Sequence, residues 1–152
     1  MKNKPVNRLL VICGHNAGRS QLTEGLFNHI VLQYPALAGR WEAISAGTRP
    51  GEKINPLVEQ VMSEIGIDMD PAKHFPKGLQ SDFIRQKGPS IRRVVIACDD
   101  DCVFPPGIPS DIPKESWKLP DPHQQPIEVV RTVRDLARDR VEQLLEELAT
   151  SD

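Results

Sequence analysis

Short apolar runs alternate along this chain with longer stretches of helical periodicity, and that alternation limits the fold more than any other feature of the sequence. Leu9-Leu10-Val11-Ile12 reads as a core strand within residues 7–12, and Leu22, Leu26, Ile30 and Val31 then recur at helical spacing across residues 20–33. Tyr34-Pro35 ends that helix, because the residue before a proline is pushed out of the helical region. Residues 41–46 form a second strand closed by Gly47. Asn55-Pro56 then supplies a cap and a first-turn proline for a helix whose face carries Leu57, Val61, Met62 and Ile65. Val94-Val95-Ile96 marks a third strand over residues 93–97, and residues 116–119 a minimal fourth. A long amphipathic helix over residues 126–148 presents Val130, Val133, Ala137, Val141, Leu144 and Leu148 on one side.

Strands that alternate with helices imply an α/β fold: a four-stranded parallel sheet with helices on both faces, joined by right-handed crossovers. The 152 residues suit one domain spanning positions 1–152. Two segments are hard to read. Pro71, Pro76 and Gly78 interrupt the stretch from 70 to 88, where a short helix is expected near residues 81–86, and residues 104–113 are too rich in proline for regular structure. Chemistry in such sheets gathers at the carboxyl ends of the strands, where Cys13, Cys98 and Asp121 all fall.

Composition removes several function classes. A net charge of −2, with 26% charged residues, argues against a nucleic-acid partner. No apolar stretch approaches the roughly 18 residues of a membrane span, and the run behind the basic start is too short for a secretory leader, so a cytoplasmic location is expected. Three cysteines without an export signal point to reduced, chemically available thiols rather than a structural disulfide framework.

The strand-to-helix turn carries the first of these thiols. In CGHNAGRS, residues 13–20, the spacing Cys-x5-Arg lets a loop wrap a tetrahedral anion so that Arg19 clamps two oxygens while the Cys13 sulfur lies in line behind the central atom. The loop amides of Gly14, His15, Asn16, Ala17 and Gly18 and the dipole of the following helix add positive potential, which favours the Cys13 thiolate. Ser20 is placed to donate a hydrogen bond to that sulfur. Asn16 tolerates left-handed backbone at the tightest point of the loop. The loop lacks one spacer residue and the lysine of a nucleotide-binding loop, which removes an NTPase. The plain alternative is a buried strand-end cysteine and a solvated arginine.

Four segments in order, CGHNAGRSQLTEG (13–25), SAGTRPGEKINPLVEQVMSEIGID (45–68), VVIACDDDC (94–102) and WKLPDP (117–122), resemble the low-molecular-weight protein tyrosine phosphatase superfamily, and most of all its arsenate reductase branch. The resemblance covers nearly the whole chain. It implies Cys13 as nucleophile, Arg19 as oxyanion clamp and Asp121 as general acid. Read by itself, Asp121 between Pro120 and Pro122 is either an ordinary turn residue or a carboxyl held stiffly over the anion.

Cys98 follows the third strand as Cys13 follows the first. If those strands are neighbours about 4.8 Å apart, their ends bring the two α-carbons within the roughly 4.4–6.8 Å of a disulfide, so Cys98 is placed to resolve an intermediate on Cys13. Cys102 lies four residues further on; in a regular helix its β-carbon is about 5–6 Å from that of Cys98, too far for a bridge until the turn unwinds. A zinc half-site is the other reading of this pair, but no second cysteine pair accompanies it and the histidines at 15, 29, 74 and 123 are scattered, so no metal and no cofactor is expected. The arsenate reductases that relay electrons through three cysteines have thiols at matching places, with a longer gap between the last two in their thioredoxin-linked members. The implied reductant is thioredoxin, or a small thiol with a redoxin.

A tyrosine phosphatase of this superfamily grips an aromatic ring with aromatic side chains just after the Asp-Pro, whereas His123-Gln124-Gln125 stand here and position 14 is glycine. The expected activity is therefore reduction of arsenate to arsenite, with phosphate or sulfate as other occupants of the loop. The alternatives are a phosphatase acting through a phospho-Cys13 intermediate and a non-catalytic oxyanion or redox sensor.

Overall fold

A computed structural model describes residues 5–97, 107–109 and 111–150. In chain order the elements are β1 (Asn7–Cys13), α1 (Arg19–Ile30), β2 (Trp41–Gly47), α2 (Pro56–Ser63), α3 (Asp82–Lys87), β3 (Ile91–Ile96), β4 (Lys114–Ser116) and α4 (Ile127–Thr150). The strands form one four-stranded sheet in the order β2-β1-β3-β4, and every pairing is parallel. No described helix is long and apolar enough to cross a membrane.

The period-two geometry of β1 explains why its apolar run is unbroken. Leu9, Val11 and Cys13 point into a large core shared with Leu22, Leu26 and Phe27 of α1, Val58, Val61 and Met62 of α2, and Val133, Val141 and Leu145 of α4. Leu10 and Ile12 point the other way, into a smaller core with Ile44, Leu79, Val94 and Ile84 of α3. Helices therefore cover both faces, as expected. Each fully buried leucine or phenylalanine stabilises this arrangement by about 1.5–3 kcal/mol relative to exposure.

Asn55 caps α2 through its side chain, which accepts from the Leu57 N–H at 2.9 Å, with Pro56 in the first turn. Val58 is fully buried on that helix, whereas Leu57, expected on the core face, packs only partly against the core. Arg134 of α4 donates to the Val61 carbonyl at 2.9 Å and to Glu64 at 2.8 Å, while Arg131 grips the same carboxylate, joining α4 to the end of α2.

The fourth strand departs from the sequence reading. It lies at Lys114–Ser116, in register with Val94, Val95 and Ile96, and not at residues 116–119. An edge strand needs only one hydrogen-bonded neighbour, so exposed Lys114 and Glu115 serve; the Trp117 N–H still donates to the Ile96 carbonyl at 2.8 Å, while the side chains of Trp117 and Leu119 are buried in the core.

Candidate active site

β1 ends at Cys13 and α1 begins at Arg19, so residues 14–18 must turn the chain within five positions. The outer side of that turn is fully engaged. The carbonyls of Cys13, Gly14, His15 and Ala17 accept hydrogen bonds from the amides of Thr48, Arg49, Gly51 and Asn55 at 3.1, 2.8, 2.9 and 2.8 Å. All peptide bonds described are trans, so a carbonyl facing outward leaves the next N–H facing the opposite way. The amides of Gly14, His15, Asn16 and Gly18 are thereby turned toward the inner side of the loop, the arrangement of an oxyanion cradle.

Asn16 takes φ of 54°, the left-handed conformation expected of it, and is completely buried. Its Oδ1 accepts from the Lys77 backbone N–H at 2.8 Å and from Gln21 Nε2 at 3.2 Å, and its Nδ2 donates to Ser20 Oγ at 2.7 Å. Ser20 Oγ in turn lies 2.8 Å from Cys13 Sγ, which is only 3% exposed. Beneath the loop, Gly47 is a glycine of necessity: a β-carbon there would stand 2.6 Å from the Gly14 carbonyl oxygen and 2.9 Å from the Asn16 nitrogen.

Asp121 approaches from the other side. Its Oδ2 is 3.8 Å from Arg19 Nη2, and its Oδ1 accepts the His123 N–H at 2.9 Å, which fixes the carboxyl in a tight turn. Arg19 also donates to the Leu119 carbonyl at 3.3 Å. Pro122 packs so closely over Gly18 that a β-carbon at 18 would lie 2.9 Å from its ring. The resulting cradle, about 40 Å³, is lined by Cys13, His15, Ala17, Gly18, Arg19, Asn55, Asp121, Pro122 and His123. A larger hollow of about 380 Å³ opens near Asn7 and Trp41, at the opposite ends of the strands, and contains no thiol or carboxylate.

The structure thus gathers Cys13, His15, Ala17, Gly18, Arg19 and Asp121 around one small space, with Asn16 and Ser20 behind it and Gly14 against Gly47. The neighbour relation invoked for Cys98 holds for the strands: β1 pairs with β3, and the Ala97 N–H donates to the Ile12 carbonyl at 2.8 Å. Cys98 and Cys102 themselves lie outside the described residues. Asn55 was legible only as a helix cap, yet it also faces the cradle and donates to the Pro122 carbonyl at 3.4 Å. Among the described residues no group of three or more histidine, cysteine, aspartate or glutamate side chains is arranged to hold a metal ion.

Buried charge lies under the loop. Glu24 of α1 accepts from Ser45 Oγ at 2.5 Å, with His74 Nδ1 at 3.4 Å from its other oxygen. Burial pushes the Glu24 carboxyl above the usual carboxylate range, opposed by the Lys77 charge and the Ser45 hydrogen bond. Burial likewise holds the Lys77 ammonium below the usual lysine value, opposed by Glu24, and holds His74 below the usual histidine value, aided by Lys77.

The sequence pattern of the low molecular weight phosphotyrosine protein phosphatases matches residues 8–87, more than half of the chain and the whole of the anion loop. The chain belongs to this family. Within the family it is similar to arsenate reductases. The arsenate reductase of Staphylococcus aureus is 31% identical over 131 residues, covering 86% of this chain and 90% of the relative. A glutaredoxin arsenate reductase of Synechocystis is 30% identical over 145 residues, covering 95% of this chain and 100% of the relative. Among solved structures, the thioredoxin-dependent arsenate reductase of Corynebacterium glutamicum superposes with a TM-score of 0.72 at 30% identity, over 99% of this chain and 66% of that one. These relatives place the chain in the arsenate reductase branch of the phosphatase family.

Proposed function

We propose that this protein reduces arsenate to arsenite. The observation that carries the reading is the pairing of β1 with β3: the chain positions that lead into Cys13 and into Cys98 run side by side, joined by the Ala97 to Ile12 hydrogen bond. A second thiol one residue beyond Ala97 is what a reductase needs and a phosphatase does not. The cradle wall supports the same choice, since among the described residues no phenylalanine, tyrosine or tryptophan lines it; its rings are the polar imidazoles of His15 and His123, 6.3 Å apart.

In this reading the Cys13 thiolate attacks arsenic while Arg19 and the loop amides hold the oxygens. One As–O bond breaks, and Asp121 gives its proton to the departing oxygen. Cys98 then attacks Cys13 Sγ. The S–As electron pair stays on arsenic, which leaves as arsenite, and a Cys13–Cys98 disulfide forms. Cys102 attacks Cys98, frees Cys13 as thiolate, and leaves a Cys98–Cys102 disulfide. Two electrons from an external dithiol close the cycle. The glutaredoxin and thioredoxin linkage of the relatives supports a redoxin as that partner.

Steady-state turnover of arsenate with thioredoxin, or with a small thiol and glutaredoxin, supplied separately beside an aryl phosphate assay tests the proposal. Arsenite release driven by one of the two systems is the expected result. Aryl phosphate hydrolysis without arsenate turnover would make the chain a phosphatase, and neither activity would make it a sensor.

A further inference from the structure

We propose that Lys77 is a positioning residue for Cys13, acting through Asn16 and Ser20; this rests on Cys13 being the nucleophile and not on arsenate being the substrate. Lys77 is 6% exposed, and no step of the reaction uses it. A buried ammonium is costly unless paired and hydrogen-bonded. Here its Nζ donates to the Phe75 carbonyl at 2.9 Å and lies 4.8 and 5.4 Å from the ring centres of Phe75 and Phe83, and Glu24 supplies the opposing charge.

These anchors fix a segment without regular structure directly under the loop. The Lys77 carbonyl accepts the Gly47 N–H at 2.8 Å, and the Leu79 N–H returns to the Gly47 carbonyl at 2.9 Å, so the segment is sewn to the end of β2. The Lys77 N–H is then delivered to Asn16 Oδ1 at 2.8 Å. The Phe75 carbonyl that receives the ammonium also receives Gln21 Nε2 at 3.0 Å, and the same nitrogen reaches Asn16 Oδ1 at 3.2 Å. With Oδ1 filled by two donors, the Asn16 amide can present only its Nδ2 to Ser20, which it does at 2.7 Å. Ser20 thus has one lone pair occupied and its proton available to the sulfur 2.8 Å away, which as a thiolate can only accept. Three consecutive polar contacts run from the Lys77 backbone to Cys13, all of them buried. Such networks act cooperatively, and a displaced member is felt along the chain of bonds.

Iodoacetamide alkylation of Cys13 in the full chain, resolved by peptide mass mapping, reads the thiol without reference to any oxyanion. A null result here is therefore distinguishable from failure of the arsenate proposal. Lys77→Met keeps the stem and removes the charge. Its alkylation rate at neutral pH is expected to fall about tenfold, equivalent to about 1.4 kcal/mol of thiolate stabilisation. Turnover is expected to lose kcat by a similar factor with KM changed less than about threefold, because the loop amides and Arg19 still bind the anion. If Lys77→Met alone is too unstable to assay, the double variant Glu24→Gln with Lys77→Met removes both charges and is expected to fold and to keep the slow alkylation. Alkylation within twofold of the parent in either folded variant would overturn the assignment and leave Lys77 as no more than a counter-charge for Glu24.

Discussion

Ser20 Oγ lies 2.8 Å from Cys13 Sγ and accepts a 2.7 Å hydrogen bond from Asn16 Nδ2, so one of its two lone pairs is taken and its single proton is available to the sulfur. A thiolate sulfur can only accept, so toward it the serine must donate, and that hydrogen bond stabilises the thiolate more than the thiol. Ser20→Ala is therefore expected to slow both alkylation and turnover by roughly 10- to 100-fold, the scale of a hydrogen bond to a charged group. Stopped-flow alkylation checks this, and an unchanged rate would show that the thiol holds its charge without the serine.

Asp121 faces Arg19 at 3.8 Å and is locked in its turn by the His123 N–H. As the acid that protonates the departing oxygen, its replacement by asparagine should slow the first chemical step by about 10²- to 10⁴-fold with little change in oxyanion affinity. Single-turnover kinetics beside phosphate binding by calorimetry separates the two. A rate within a few fold of the parent would reduce Asp121 to a turn residue.

Gly47 has no room for a side chain. Gly47→Ala would drive a β-carbon to within 2.6 Å of the Gly14 oxygen, so the loop must shift and the amide cradle opens. Oxyanion binding and turnover are expected to fall by at least about 100-fold, since misplacement near 1 Å has that effect. Gly66→Ala is the contrast: its φ of 83° strains an alanine by about 1–2 kcal/mol, but no atom lies within 4 Å, so stability falls and activity does not. Equal loss of activity in both variants would contradict the steric argument.

Glu64 between Arg131 and Arg134 titrates low, at about 2, chiefly through the Arg131 hydrogen bonds. A carboxylate depressed from its ordinary value of 4.5 contributes stability that is present above that value and is lost as pH falls toward 2. Glu64 faces solvent, so the contribution is small. Glu64→Gln should lower Tm slightly at pH 7, and the gap to the parent should close as pH falls from about 4.5 toward 2. A gap that is constant over this range would place the effect in packing rather than charge.

Much of this architecture was legible because both signals it depends on are local. The two-residue period of Leu9 to Ile12 and the cap at Asn55-Pro56 each specify an element from its own residues. The anion loop was legible for the same reason, since Cys13 to Ser20 is a single turn. What escaped the sequence depends on distant partners. Thr48, Arg49, Gly51 and Asn55 hold the loop through backbone amides, which no side-chain pattern records. Lys77 reaches Asn16 across 61 positions through its main chain, and the segment around it has no periodicity to reveal its place. The fourth strand begins two residues before the position that the apolar Trp117 and Leu119 suggest, because edge register is set by backbone pairing with β3 and not by burial of side chains.

The relay itself is tested most directly by mapping the disulfide formed after a single turnover of Cys102→Ser with arsenate, under non-reducing conditions. One equivalent of arsenite and a persistent Cys13–Cys98 bridge are expected, because no thiol remains to carry the oxidised pair onward, while Cys98→Ser is expected to lose redoxin-driven turnover yet keep weak aryl phosphate hydrolysis. Continued turnover of arsenate by both serine variants at the parent rate, with Cys13 and Cys98 recovered as free thiols, would contradict it.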